Sequence, residues 1–150
     1  MGKVLEGLRV LVDWINLKVI LEELHLHGQG ITFLIPSPSL LMDHTKIHFN
    51  VEIIQQPVTK QVLMEELNTD LYTVSFELPK LSLWDLKKMQ ANLKKLMNSF
   101  LVKAKRVCDS AITNKELPSK LQAAKFNVCI ADPLNFCGEL VAELLNIPFI

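Results

Sequence analysis

Long hydrophobic runs are missing: no apolar stretch among the 150 residues is long enough to span a bilayer. An excess of one charge is missing too. Sixteen basic residues balance sixteen acidic ones, so net charge gives no drive toward nucleic acid or an anionic membrane. Glycine is scarce, and none of the five forms the Gly-rich turn that cradles a phosphate. The three cysteines, Cys108, Cys129 and Cys137, lack zinc-ligand spacing and cannot all pair with one another. Aromatic residues do not interleave with the basic ones, which argues against single-stranded nucleic acid. Met1 to Glu6 is not a secretory signal, because Glu6 and Arg9 interrupt any apolar region, and Glu6 stands where a myristoylation motif needs Ser or Thr.

What is present suits one domain with a real core: 49% of the residues are hydrophobic. Leu8 to Val12 reads as a buried first strand, with Val4-Leu5 a weaker candidate. Asp13 is placed to cap a helix carrying Trp14, Leu17, Ile20, Leu21 and Leu24, which Gly28 stops. His25 and His27 fall in its last turn and read as solvated. Ile31 to Ile35 is a second strand, broken by Pro36-Ser37-Pro38-Ser39. Leu40 to Met42 starts a short helix or turn, His44 and His48 lie in a polar loop, and Phe49 to Ile54 is a third strand.

Residues 59–81 have no clear period. Val62 to Leu67 suggests a short helix, and Leu71 to Phe76 has some strand character within a segment that is helical on the other reading. From Leu83 a stripe recurs at Leu86, Met89, Leu93, Leu96, Phe100, Ala104, Val107 and Ala111, opposite a face of lysines and Arg106. The stripe reads as core-facing, and attachment to a membrane surface is the alternative. Glu116 to Ala124 is a second helix.

The last quarter reads strand, loop, helix, strand. Val128 to Ala131 is rich in β-formers, Asp132-Pro133 follows at once, and Leu140, Val141, Leu144 and Leu145 mark a helix. Asn146 and Pro148 end it, and Phe149-Ile150 opens a new apolar run. Alternation of this kind predicts an α/β fold, a Rossmann-like parallel sheet with flanking helices. Ligands of such sheets sit outside the carboxyl ends of the strands, where Asp132 stands; the plainer reading is that Asp132-Pro133 starts a turn. Cys129 reads as an inert buried thiol. Cys137 stands near a helix N-terminus, which lowers a thiol pKa, but a small buried hydrophobe is the commoner role.

Ala131-Asp132-Pro133, Cys137 to Leu140 and Ala142 to Phe149 resemble, almost letter for letter, a segment of the UDP-glucuronosyltransferases. Trp14 to Leu24, Ser37 to Asp43 and Phe49 to Glu52 resemble the first helix and following region of the same family. The resemblance implies that residues 1–150 form an incomplete N-terminal, acceptor-side domain of a two-domain GT-B glycosyltransferase. The family transfers glucuronate from UDP-glucuronate to hydroxyl groups of small lipophilic acceptors. The donor would bind the second domain, so the resemblance implies no cofactor here. The family has a loop ending in Ser-His-Trp before its first helix, and that histidine is its catalytic base. Here Asp13 occupies the histidine's place, and the sequence reads as though the loop were missing.

By resemblance Asp132 is the partner of the absent histidine. An aspartate with an ordinary pKa near 4 is a poor base for an alcohol at neutral pH. The expected consequences are an inactive chain and a truncated family member. Association with full-length relatives is a second, non-catalytic role. By family the location is the endoplasmic reticulum membrane and lumen. Both ends read as cut, since Phe149-Ile150 stops where a strand begins.

Overall fold

The structure is a computed structural model describing residues 2–7, 11–40, 47–82, 84–131 and 137–150, with the backbone alone over 11–16. Its centre is a four-stranded, wholly parallel sheet in the order β3-β2-β1-β4. The strands are β1 (Lys3–Glu6), β2 (Gly30–Ser37), β3 (Asn50–Gln55) and β4 (Val128–Ile130). Helix α1 (Leu11–Leu26) joins β1 to β2. Helices α2 (Lys60–Tyr72), α3 (Leu86–Thr113) and α4 (Glu116–Ala124) lie between β3 and β4, and α5 (Cys137–Leu145) follows β4. This is the expected Rossmann-like α/β architecture.

Both faces of the sheet are covered, as a parallel sheet requires. Alternation along the strands sends successive side chains to opposite faces. Val4, Ile31, Phe33 and Ile35 pack with Leu17 and Leu21 of α1. Leu5, Leu34, Ile54 and Cys129 pack on the other face with Ala111, Leu117, Leu121, Val141 and Ala142.

The expected first strand is corrected. Pairing with β2 and β4 falls on Lys3–Glu6, and Leu11-Val12 already belong to α1. A short aliphatic run fits a buried strand and a helix start equally well. Asp13 therefore lies inside the first turn of α1 and is not its cap. The expected break at Pro36 is corrected as well, because β2 runs on to Ser37. The β1 pairing ends at Phe33, so at Pro36 that side of β2 has no β1 neighbour and loses no ladder hydrogen bond. Leu41 and Met42 of the expected turn, and His44, lie outside the described residues. Gly28 does end the first helix, with φ +80°, and His25 and His27 are exposed; His27 pairs with Glu23 at 3.2 Å.

Residues 60–80 are helical throughout. The Thr59 hydroxyl accepts from Val62 N at 3.3 Å to start α2, and a wide turn (Thr73–Glu77) and a tight one (Leu78–Lys80) end the segment. No residue of α2 is buried, so the segment lacks the apolar face that makes helical period visible. Instead α2 is zipped to α3 by charge. Arg106 donates from both terminal nitrogens to Glu66, at 3.1 and 2.7 Å, and Asp70 accepts from Ser99 at 3.2 Å and pairs with Lys103. The bonds from the Arg106 guanidinium hold the Glu66 carboxyl below its ordinary range.

Candidate active-site rim

The carboxyl ends of β1 and β4 meet at one rim. Register places Glu6 beside Ile130, and Gly7 N–H donates to Ile130 O at 2.8 Å, carrying the pairing one residue further. Chain density is high just beyond. A Cβ on Gly7 would stand 3.1 Å from Gly138 Cα, and one on Gly138 only 2.6 Å from Ala131 Cβ. The exits of β1 and β4 and the first turn of α5 thus share one contact that only glycine fits. Gly138→Ala should destabilise the chain by about 1–3 kcal/mol, despite the better helix former, because the nearest obstacles belong to β4's own exit. Chemical denaturation checks this; an unchanged midpoint would show that α5 can shift freely.

The sequence-derived site residues are only partly placed. Asp132 lies outside the described residues, one residue beyond Ala131. The side chain of Asp13 is likewise outside them; its backbone sits in the first turn of α1, which follows β1. The two strands that lead to these residues are neighbours, parallel, with ends at one rim.

Sequence reasoning missed Glu6 as a rim residue. It ends β1 with its side chain at 1% exposure. The signal was present, a carboxylate closing the run Lys3-Val4-Leu5, but only if that run was taken as the strand. Burial, and after it the charge of Glu6, pushes the neighbouring Cys129 thiol up to about 12. Cys129 is free and buried, as expected, and its Sγ lies 3.7 Å from Gly138 O. Its folded pKa exceeds its unfolded one, so its contribution to stability is complete below the unfolded value near 9 and lost as pH rises toward 12. At pH 8 without reductant, iodoacetamide should leave the native chain unlabelled and take one equivalent in urea. Native labelling at Cys129 would contradict the buried thiol.

Cys137 is corrected from a free thiol to a disulfide partner. It joins Cys108 of α3 across a Cα separation of 5.2 Å, tying α3 to the start of α5. The apolar run after Pro148 does pair: Phe149 bridges Cys129 in parallel, and Ile150 N–H donates to Cys129 O at 2.9 Å. Among the described residues no helix is long and apolar enough to cross a membrane, and no three His, Cys, Asp or Glu side chains could together hold a metal ion. A cleft of about 330 Å³ lies at the opposite, amino-terminal rim, between Lys3, Thr32, Glu52, Lys120 and Phe126.

The family model described as UDP-glucoronosyl and UDP-glucosyl transferase matches residues 2–150. UDP-glucuronosyltransferase 2C1 of Oryctolagus cuniculus is 66% identical over 137 residues, which is 91% of this chain and 27% of that protein. UDP-glucuronosyltransferase 2B15 of Homo sapiens is 37% identical over 150 residues, 99% of this chain and 28% of its own length, and 2B1 of Rattus norvegicus is 37% identical over 152. The chain therefore spans a little over a quarter of the length of these relatives. No solved structure matches it.

The human match aligns 150 positions to 99% of a 150-residue chain, which leaves no room for a loop of several residues lost before Trp14. Positions 7–10 stand in the sequence between β1 and α1, where the loop was expected to be missing. On the family match and the identity over most of its length, this chain belongs to the UDP-glucuronosyltransferase family.

Proposed function

We propose that residues 1–150 are the acceptor-side, Rossmann-like half of a glucuronosyl-transfer site whose catalytic base has been replaced by Asp13. The reaction of a complete site is transfer with inversion. A base takes the proton of an acceptor hydroxyl, the oxygen attacks the anomeric carbon of UDP-glucuronate, and UDP leaves with the electron pair of the broken bond. An aspartate that pairs with the base orients it and stabilises its positive charge, the part assigned to Asp132. The observation carrying this reading is the adjacency of β1 and β4, whose carboxyl ends lead to residues 13 and 132 from one rim. The donor belongs to a second domain, so this segment alone binds a small lipophilic acceptor and transfers nothing. The Cys108–Cys137 bond suits an oxidising compartment such as the endoplasmic reticulum lumen.

A hybrid tests the reading. This chain, joined to the remaining length of the rabbit relative, should glucuronidate 4-methylumbelliferone only after Asp13→His. Equal turnover with Asp13 in place would overturn the base assignment. No turnover after Asp13→His, in a hybrid that still binds the phenol, would overturn the site. Association with longer active relatives is the second reading and rests on the same replacement; it requires co-purification with a relative and a change in that relative's rate.

A further inference from the structure

We propose that the free end of the α2–α3 hairpin is a docking surface for an anionic lipid bilayer. The proposal is independent of the rim and of the transfer chemistry. Helix α3 has 28 residues and is about 42 Å long. Its buried residues, Cys108 and Ala111, both lie in the last two turns, and α2 beside it has none. The first turns of α3 therefore stand clear of the sheet.

The apolar stripe read as core-facing changes character along this length. Val107 packs against the core, with Cys108 and Ala111 within it. Met89, Leu96 and Phe100 of the stripe are half-buried, while Leu86 and Leu93 of it, with Met97 and Leu101 beside it, are exposed. At 100° per residue the exposed four fall within an arc of about 80°, and Lys94 and Lys87 border it. Trp84, 96% exposed, stands just before the helix. Exposed Tyr72 and Phe76, with ring centroids 5.4 Å apart, lie at the same end, because α2 and α3 run antiparallel from the Glu66–Arg106 pair to the Asp70–Ser99 contact.

Charge separates along the hairpin in the same way. Near the sheet the cations have acidic partners: Lys103 with Asp70, Arg106 with Glu66, Lys105 with Asp109. At the free end, residues 77–97 hold Lys80, Lys87, Lys88, Lys94 and Lys95 against Glu77 and Asp85, a local excess of three in a chain of net charge zero. Lys88 lies 3.8 Å from Asp85, and among the described residues Lys87, Lys94 and Lys95 have no acidic partner.

Lys87 and Lys94, unpaired beside exposed aliphatic side chains with Trp84 just before them, are what the interface of an anionic bilayer accepts: rings at headgroup depth, ammonium groups among phosphates. The apolar side chains stand along a protruding helix. The nearby cleft between α2 and α3, about 360 Å³ and lined by Glu66, Asp70, Lys95 and Lys103, lies on the other side of α3.

Vesicle flotation tests this with the 150-residue chain. Vesicles of phosphatidylcholine with 30% phosphatidylserine should carry it up, and pure phosphatidylcholine vesicles should carry far less. Binding should weaken between 0.05 and 0.5 M salt. In a Trp14→Phe background the emission of Trp84 should shift to the blue on binding. Reversing Lys87 and Lys94 to Glu should lower partitioning at least about tenfold. Reversing Lys115 and Lys125, the same charge change elsewhere, should lower it far less. Equal loss in both sets, binding indifferent to lipid charge, or no binding by a chain folded by circular dichroism would each overturn the proposal. So would a dimer that Leu93→Glu and Met97→Glu abolish in the absence of vesicle binding, since the surface would then belong to a second copy.

Discussion

Replacing both Cys108 and Cys137 with Ala should lower the stability of the chain by about 3–4 kcal/mol and its Tm by roughly 10 °C. The bond closes a segment with a sequence separation of 29 that contains α4, β4 and the rim. Without it the unfolded chain regains the entropy of that loop. The loss in the folded state is local, because both residues sit in the core with Leu117, Leu121, Val141 and Ala142, where Ala tolerates burial better than Ser. Each single replacement should fall close to the double one, since either breaks the bond. Dithiothreitol should shift the wild-type Tm and leave the double variant unmoved. Thiol counting in urea provides the independent check: one equivalent before reduction and three after. A double variant within about 1 °C of wild type would mean that the bond contributes nothing to stability.

That bond shows where the sequence stopped being legible. Cys108 lies in a long helix and Cys137 opens a motif, and nothing in their spacing indicates that α3 passes the start of α5. The fold class was legible because alternation of apolar runs with helical stripes is a local property. The third strand, expected at 49–54, forms at Asn50–Gln55, and the helix at 116–124 forms as read. Boundaries failed where chemistry is ambiguous over four or five residues. Val10-Leu11-Val12 offers the same side chains to a strand and to a helix start, and only pairing of Lys3–Glu6 with two neighbours decides the matter. The misplaced strand carried a second error with it. It left no connection before Trp14 and hid Glu6, which then read only as a break in an apolar leader. The segment 59–81 was half legible for the opposite reason: its helical reading holds and the strand character of 71–76 does not, because the helix is held by ion pairs to α3 and has no buried face to give a period.

The stripe on α3 shows a third kind of limit. Its period is uniform from Leu86 to Ala111, yet only its C-terminal turns meet the core. Periodicity reports which face of a helix is apolar. What covers that face depends on how far the helix extends past the sheet, and this follows from the length of α3 relative to the short strands beside it.

Asp132→Asn should reduce turnover by two to four orders of magnitude in the hybrid repaired by Asp13→His, with a much smaller change in acceptor affinity. The carboxylate's value is greatest when the base carries the acceptor's proton, because only then is the imidazole positively charged. An interaction that strengthens in the transition state lowers kcat when removed and leaves ground-state binding nearly intact. The amide keeps the size of the side chain, so any loss reports charge and tautomer. Glu6 supplies the control for a merely structural rim. It is buried one residue before Gly7, and Glu6→Gln should act on stability, read from the Tm, with kcat changed far less. As the proposed partner of the base, the negative charge at position 132 should also raise the pKa of the introduced imidazole, so the acidic limb of the pH–rate profile should move down in Asp132→Asn. A hybrid in which Asp132→Asn raises KM tenfold at constant kcat, with no shift of that limb, would show Asp132 to be a pocket wall and not the partner of the base.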